Sequence, residues 1–375
     1  MIRARPNPGR ATPARALAFA TWLLLPSSPL LPLAACAASD ETDAPDADTR
    51  AVVPAGDSGE PAVDAAEADA RLVPCAVGVL CSVPIPLTAG FVTAIAGRSK
   101  DDVWSTGSGG LLMRWDGKQW LALDSGIQET LSSVALSSDE TWGVSGSLVL
   151  RRGIDPKSVR TVRIKGLYRP LTSIALLPAG DVYVSLLGVP SLAKLDFDTA
   201  SLSYEPNPVH PVTHEVQVLM PRASFLVPDK ALWLVGERGD IARFPISRPV
   251  DGGAPSLGQV VLHRVASQAD LFAAWGLGDE LWTAGDEGTI LHFNGTEWHA
   301  ENSGTTSRLK AIFGFAPNDI WAAGNDATVL HFDGNAWSRI DVGPYRGDLK
   351  AIWGSAPDDV WIGGERAMLH WGVLP

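Results

Sequence analysis

The sequence predicts an all-β chain, a ring of seven four-stranded units closed where its two ends meet. Three observations carry this expectation. An aromatic residue following an acid and an aliphatic marks each unit: "DDVW" at Trp104, "DETW" at Trp142, "DVY" at Tyr183, "KALW" at Trp233, "DELW" at Trp282, "NDIW" at Trp321 and "DDVW" at Trp361, spaced 38, 41, 50, 49, 39 and 40 apart. Each unit divides into four short strand candidates, which in the sixth are "LKAIFG", "DIWAAG", "ATVLHF" and "AWSRI", separated by the turn signals "APND", "GND" and "DGN". The last unit, "LKAIWGSAPDDVWIGGERAMLHWG", stops after its third strand.

Four strands in about 40 residues is the signature of a β-propeller blade. Short regular strands also suit a sandwich, but seven copies of one unit favour the propeller. Asp116-Gly117, Asn294-Gly295 and Asp333-Gly334 between apolar runs are hairpin signals. Blades are expected to start near Phe91, Leu131, Leu171, Val216, Leu271, Leu309 and Leu349, within a domain of residues 73–375. The second to fourth units are degenerate. Their extra length falls near "EPNPVHPVTH" and "SRPVDGGAPSLG". Residues 76–87, "AVGVLCSVPIPL", precede the first unit where later units place a fourth strand. They are expected to complete blade seven and remove its open edge. Pro84 and Pro86 fit an outermost strand, where one row of amides lacks partners.

Upstream the chain changes character. Arg3, Arg5, Arg10 and Arg15 precede the apolar run "ALAFATWLLLPSSPLLPLAA", which reads as a secretory signal over 1–35. Pro26, Pro29 and Pro32 weaken a membrane-span reading. Residues 36–72 hold ten acids, two arginines and no aromatic, so they are expected to form a disordered acidic tether. The net charge of −12 becomes −16 once the signal's four arginines are removed, and the tether supplies −8 of it. An acidic chain does not attract phosphates, so nucleic acid is not an expected partner.

Leu33-Ala34-Ala35-Cys36 resembles the lipobox of bacterial lipoproteins. That resemblance implies acylation at Cys36, and Ala37 after it implies the outer membrane, periplasmic or surface-exposed. Ordinary signal cleavage after Ala37 is the alternative. Residues 91–372 resemble bacterial envelope propellers with repeats near "L-x-x-I-x-G…D-D-V-W-x-x-G…G-T-I-L-H-x-D-G-x-x-W". "D-G-x-x-W" is similar to the Asp-box of sialidase-like propellers, with the spacing off by one. The Gly-His and Trp-Asp pairs of WD repeats are absent. The family resemblance implies an extracytoplasmic binding or scaffold protein.

Few residues suggest chemistry. His292, His331 and His370 recur in "LHF", "LHF" and "LHW". Equivalent positions in three blades cannot converge on one ion at the ~2.1 Å a metal requires. They are expected to bond a neighbouring turn, or the acid of the "DDVW" hairpin. His210 and His214 in "VHPVTH" have helical ligand spacing, but Pro211 forbids a helix; a loop metal site stays open. Cys75 and Cys81 are an even pair in an exported chain and read as a disulfide, with two free thiols as the alternative. Asp101, Asp102, Asp319, Asp358 and Asp359 recur with the repeat, which says turn chemistry before catalysis. Phe315 in "GFAPND" and Tyr345 in "GPYRGD" are loop aromatics that could join a binding face; local packing is the alternative.

These readings converge on a lipid-anchored, monomeric propeller without metal or cofactor. It binds a protein or glycan through one face. A polysaccharide lyase or glycoside hydrolase with a site at the axial mouth is the alternative, because carboxylates could meet there. A structural envelope protein without a discrete ligand is a third.

Overall fold

The computed structural model describes residues 75–374 except 77, 87–89, 154–157, 179, 189–190 and 208–218. The signal, Cys36, the tether, His210 and His214 lie outside the described residues.

Seven antiparallel sheets form the molecule, six of four strands and one of five. In the first blade the strands are Val92–Ser99, Asp102–Gly107, Leu112–Trp115 and Trp120–Leu123, paired in chain order. The fifth and sixth blades repeat this order, from Leu271–Leu277 to Trp298–Glu301 and from Leu309–Ala316 to Trp337–Arg339. Blade four begins at Pro221, and its third strand, Ile241–Ser247, carries two short outer partners, Ser256–Leu257 and Val261–His263. First strands contact each other around the axis, and the first strand of blade seven returns to that of blade one. The structure is therefore a closed seven-bladed β-propeller. Turns joining first to second and third to fourth strands emerge on one face. Hairpins between second and third strands, and the links between blades, emerge on the other.

Blade seven is completed from the N-terminal side. Leu80–Val83 pairs antiparallel with the third strand, Ala367–Trp371, in the register Leu80 to Trp371, Cys81 to His370, Ser82 to Leu369 and Val83 to Met368. The closing strand is shorter than residues 76–87. Pairing stops where Pro84 has no N–H to give. Phe91 bridges Glu365 nearby, and the Arg366 amide donates to the Gly90 carbonyl.

The glycine in "I-x-G" has a steric cause. A Cβ at Gly97 would sit 2.4 Å from the Trp353 ring of blade seven, at Gly314 2.9 Å from Trp275 of blade five, and at Gly354 2.5 Å from Phe315 of blade six. Each of these aromatics leans on the bare backbone of the next blade. Turn glycines have a different reason: Gly117, Gly295 and Gly334 hold φ near +92°, which L side chains resist. The preceding Asp116, Asn294 and Asp333 accept two backbone N–H groups each through Oδ1. Those N–H bonds hold the exposed carboxyls of Asp116 and Asp333 below the usual carboxylate range.

Deleting residues 73–88 should lower the melting temperature and promote aggregation, because it opens the edge at His370 and Trp371. Deleting 40–70 should leave the melting temperature unchanged, and Cys75→Ser should cost less than the strand deletion. Differential scanning fluorimetry with light scattering compares the three. Equal behaviour of the two deletions would contradict closure by this strand.

Candidate functional site

One cluster recurs on the second and third strands of every blade. Cross-strand register sets Trp104 opposite Arg114, Trp142 opposite Arg151, Tyr183 opposite Lys194 and Trp233 opposite Arg243. It sets Trp282 opposite His292, Trp321 opposite His331 and Trp361 opposite His370. Two residues before each aromatic, on the same side of the strand, stand Asp102, Glu140, Asp181, Ala231, Glu280, Asp319 and Asp359. In six blades this residue is an acid and binds the facing base. Arg114 Nε to Asp102, Arg151 Nε to Glu140, and Lys194 Nζ to Asp181 are each 2.7 Å. His292, His331 and His370 meet Glu280, Asp319 and Asp359 through Nε2 at 3.1, 2.8 and 2.7 Å.

The three repeated histidines thus lie in three blades, each with its own carboxylate. The base also covers the aromatic: His292 stacks on Trp282 with centroids 3.9 Å apart, and the Arg151 guanidinium lies 5.3 Å from the Trp142 centroid. The indole N–H of Trp104 donates to Asp102, and that of Trp142 to Glu140. The partly exposed arginine and lysine pairs contribute about 0–1 kcal/mol each, and the arginine over an aromatic face about 0.5–1 kcal/mol. Arginine and lysine in this place were missed from sequence. Their signal was a base nine to eleven residues after each aromatic.

Among the described residues, a broad concavity lies on the face of the first-to-second turns. It is a groove of about 1090 Å³ running over blades two, three and four. Its apolar lining includes Leu136, Leu176 and Leu226. These leucines occupy the register position that holds Gly97, Gly276, Gly314 and Gly354 in the other blades. Pro178 and Pro228 extend the apolar surface, and Glu140, Arg151 and Lys194 supply charge. Two carboxyls of the groove are held below their ordinary range, Asp139 by the hydroxyls of Ser137 and Ser138, and Asp196 by the backbone and side chain of Thr199. They are fixed negative charges, suited to complementing a ligand and unsuited to giving up a proton at neutral pH.

The opposite face holds the carboxyl with the reverse shift. Asp240 is pushed up, chiefly by burial; its buried Oδ2 has no hydrogen bond, and the Arg238 guanidinium lies 4.0 Å away and opposes the shift. A cavity of about 410 Å³ there is lined by Asp240, Arg238, His263, Arg264 and Gln268, among others.

The remaining sequence candidates sit in structural roles. Phe315 is not in a loop; it lies next to the end of the strand Leu309–Ala316, half-buried, with its ring 5.2 Å from that of Phe313. Tyr345 is half-buried on the hydrophobic core, and its hydroxyl reaches the carbonyls of Asp348 and Glu365. Burial pushes its pKa up to about 12. Cys75 and Cys81 form a disulfide with Cα atoms 5.0 Å apart. Together with His370 they place two sulfurs and an imidazole nitrogen within 4.8 Å of one another. The sulfurs are joined, which removes the thiolates a metal would bind.

No protein-family model and no curated protein matches the chain. Solved structures resemble it in fold. YCF48 from Cyanidioschyzon merolae is 14% identical with a TM-score of 0.62, covering 78% of this chain and 98% of its own. YCF48 bound to a D1 peptide is 17% identical with a TM-score of 0.60, covering 81% and 100%. A streptogramin B lyase is 14% identical with a TM-score of 0.65, covering 78% and 96%. Identities this low show the propeller fold alone.

Two substitutions should shift stability with opposite pH dependence. Burial disfavours the Asp102 carboxylate, but Arg114 and Arg98 outweigh it and hold the carboxyl below its ordinary range. Its contribution is present above the unfolded pKa and lost as pH falls through the lower folded value. Asp102→Asn should therefore destabilise at neutral pH and converge on wild type in acid. Asp240 has a raised pKa, so its contribution is present below the unfolded value and lost as pH rises through the folded one. Asp240→Asn should gain stability relative to wild type as pH rises from 4 to 7. Urea unfolding across that range checks both signs.

Proposed function

We propose that this propeller is a non-enzymatic binding scaffold that engages an extended segment of another protein through the groove over blades two to four. The groove itself carries the reading. It is large and apolar where Leu136, Leu176 and Leu226 replace the repeat's glycine, and it is bordered by charges of both signs. An extended segment suits an apolar trough with polar walls, because side chains alternate between the two. A propeller of the same fold is known bound to a peptide, which supports the mode of use and says nothing about this chain's partner. We further propose that Cys36 is lipidated and holds the propeller at the outer membrane. The lipobox-like "LAAC" supports that placement.

A hydrolase or lyase reading has one observation in its favour, the raised carboxyl of Asp240 beside Arg238. An acid catalyst must hold its proton near neutral pH. The site stands on the face away from the groove, so the two readings use different surfaces.

A photo-crosslinking residue at Ser138, on the groove, should capture a partner in envelope fractions. The same residue at Glu287, on the opposite face, should not. Leu176→Glu should reduce capture from position 138 at least tenfold while leaving the melting temperature within a few degrees of wild type. Capture from 287 alone would favour the Asp240 face. Conversion of Cys36 to Ala should release the protein from membranes; unacylated wild-type protein would contradict the anchor.

A further inference from the structure

Blade four breaks the pattern that the other six keep. Ala231 stands where they have an acid, yet Arg243 holds the facing position, its guanidinium 5.7 Å from the Trp233 centroid. Among the described residues, no carboxylate lies within ion-pair distance of Arg243. In the space an acid would fill there is a cavity of about 150 Å³, lined by Ala231, Trp233, Arg243, His263, Lys230 and Asp279, among others. Its rim at Lys230, Gly278 and Asp279 is exposed, so the cavity opens to solvent. That volume is about five waters, at ~30 Å³ each. It has room for a carboxylate on a short stem.

The charge of the cavity agrees with its shape. Asp279 is already engaged by Lys230, at 3.0 and 3.1 Å. His263 Nδ1 accepts the indole N–H of Trp298 at 3.2 Å, which puts the imidazole proton on Nε2. That Nε2 is buried with no partner. Burial, helped by the charge of Arg243, holds the imidazole below its ordinary pKa, so it is neutral near pH 7. Lys230 and Arg243 against Asp279 leave one net positive charge. A partly desolvated guanidinium facing no anion is unfavourable. Its planar fork fits a carboxylate in two parallel hydrogen bonds, and fits a spherical halide less well.

We infer that blade four carries a carboxylate-binding site in which a ligand supplies the acid that Ala231 lacks. The ligand is a short-stemmed carboxylate, either a free small acid or an aspartate or glutamate side chain of a peptide. The six complete blades show the position, since each places its own acid against the base at the equivalent register, an arginine in blades one and two. The site is separate from the groove over blades two to four, and either can exist without the other.

Ligand-observed NMR tests the site at constant ionic strength, with chloride as background anion. The probes are acetate, glutarate and the blocked peptide acetyl-Ala-Glu-Ala-amide. Wild type should bind at least one of them. Ala231→Asp, which restores the internal acid, should weaken that binding at least tenfold and raise the melting temperature. Arg243→Met, which keeps the stem over Trp233, should also abolish binding, and it serves should Ala231→Asp fold poorly. Tenfold preference for the peptide over acetate assigns the site to an acidic side chain; the reverse assigns it to a free acid. Binding of no probe by wild type, or equal binding by wild type and Arg243→Met, would overturn the proposal.

Discussion

Every blade leans on two neighbours, so the ring depends on the seam where the chain's ends meet. That seam is the pairing of Leu80–Val83 with Met368–Trp371. It joins segments nearly 290 residues apart, and the loop entropy of bringing them together is lost before their contacts form. What holds the seam is more than backbone pairing. Cys81 is wholly buried and tied to Cys75. Trp361 of blade seven lies 4.8 Å from Trp115 and 5.2 Å from Trp120 of blade one, by ring centroids. On the inner side Trp353 rests on Gly97. Aromatic burial at this scale is worth several kcal/mol per seam, enough to close the ring through side chains while the strand covers the edge.

Once closed, the ring fixes what each turn faces. Equivalent positions on second and third strands lie away from the axis in different blades, so a residue repeated there cannot build one convergent site. It can only build seven small ones. The acid, aromatic and base clusters are of this kind. Each ties the head of a second strand to the third strand beside it, and six of them are complete within their own blade. Their uniformity argues for stability and against catalysis.

The fold was legible because its signals are local and repeated. Hairpin turns such as Asp333-Gly334 act within a few residues, and the aromatic marker and four-strand unit recur about every 40 residues. A bond from His331 to a neighbouring turn, the backbone or the hairpin acid was legible too, since His and acid recur in step; the partner is Asp319 of "NDIW". What was not legible depended on comparing blades after superposing their registers. Arg114, Arg151 and Lys194 do the work of the histidines, but sequence hides this because the residue type changes while the role stays. The alanine at 231 is invisible as a missing acid until Arg243 is seen across from it. Phe315 was placed in a loop because "GFAPND" looks like a turn; its ring belongs to the strand because Gly354 leaves room for it.

The degenerate blades are where the sequence was least readable, and the same departures make the concave surface. In blades one, five, six and seven the sixth residue of the first-strand motif is glycine. Around three of these glycines, Gly97, Gly314 and Gly354, an aromatic from the preceding blade fills the space. In blades two, three and four it is leucine, and all three leucines line the groove. Tight inter-blade packing and an open apolar surface are alternatives at one register position. A repeat is selected for closing the ring, so positions that keep to it carry stability. Positions that leave it, Leu136, Leu176, Leu226 and Ala231, replace the repeat's glycine or its acid; the leucines pack on the core with part of their surface left open. Each of them borders a cavity. That coincidence is why the binding surfaces of this ring are to be sought where its symmetry fails.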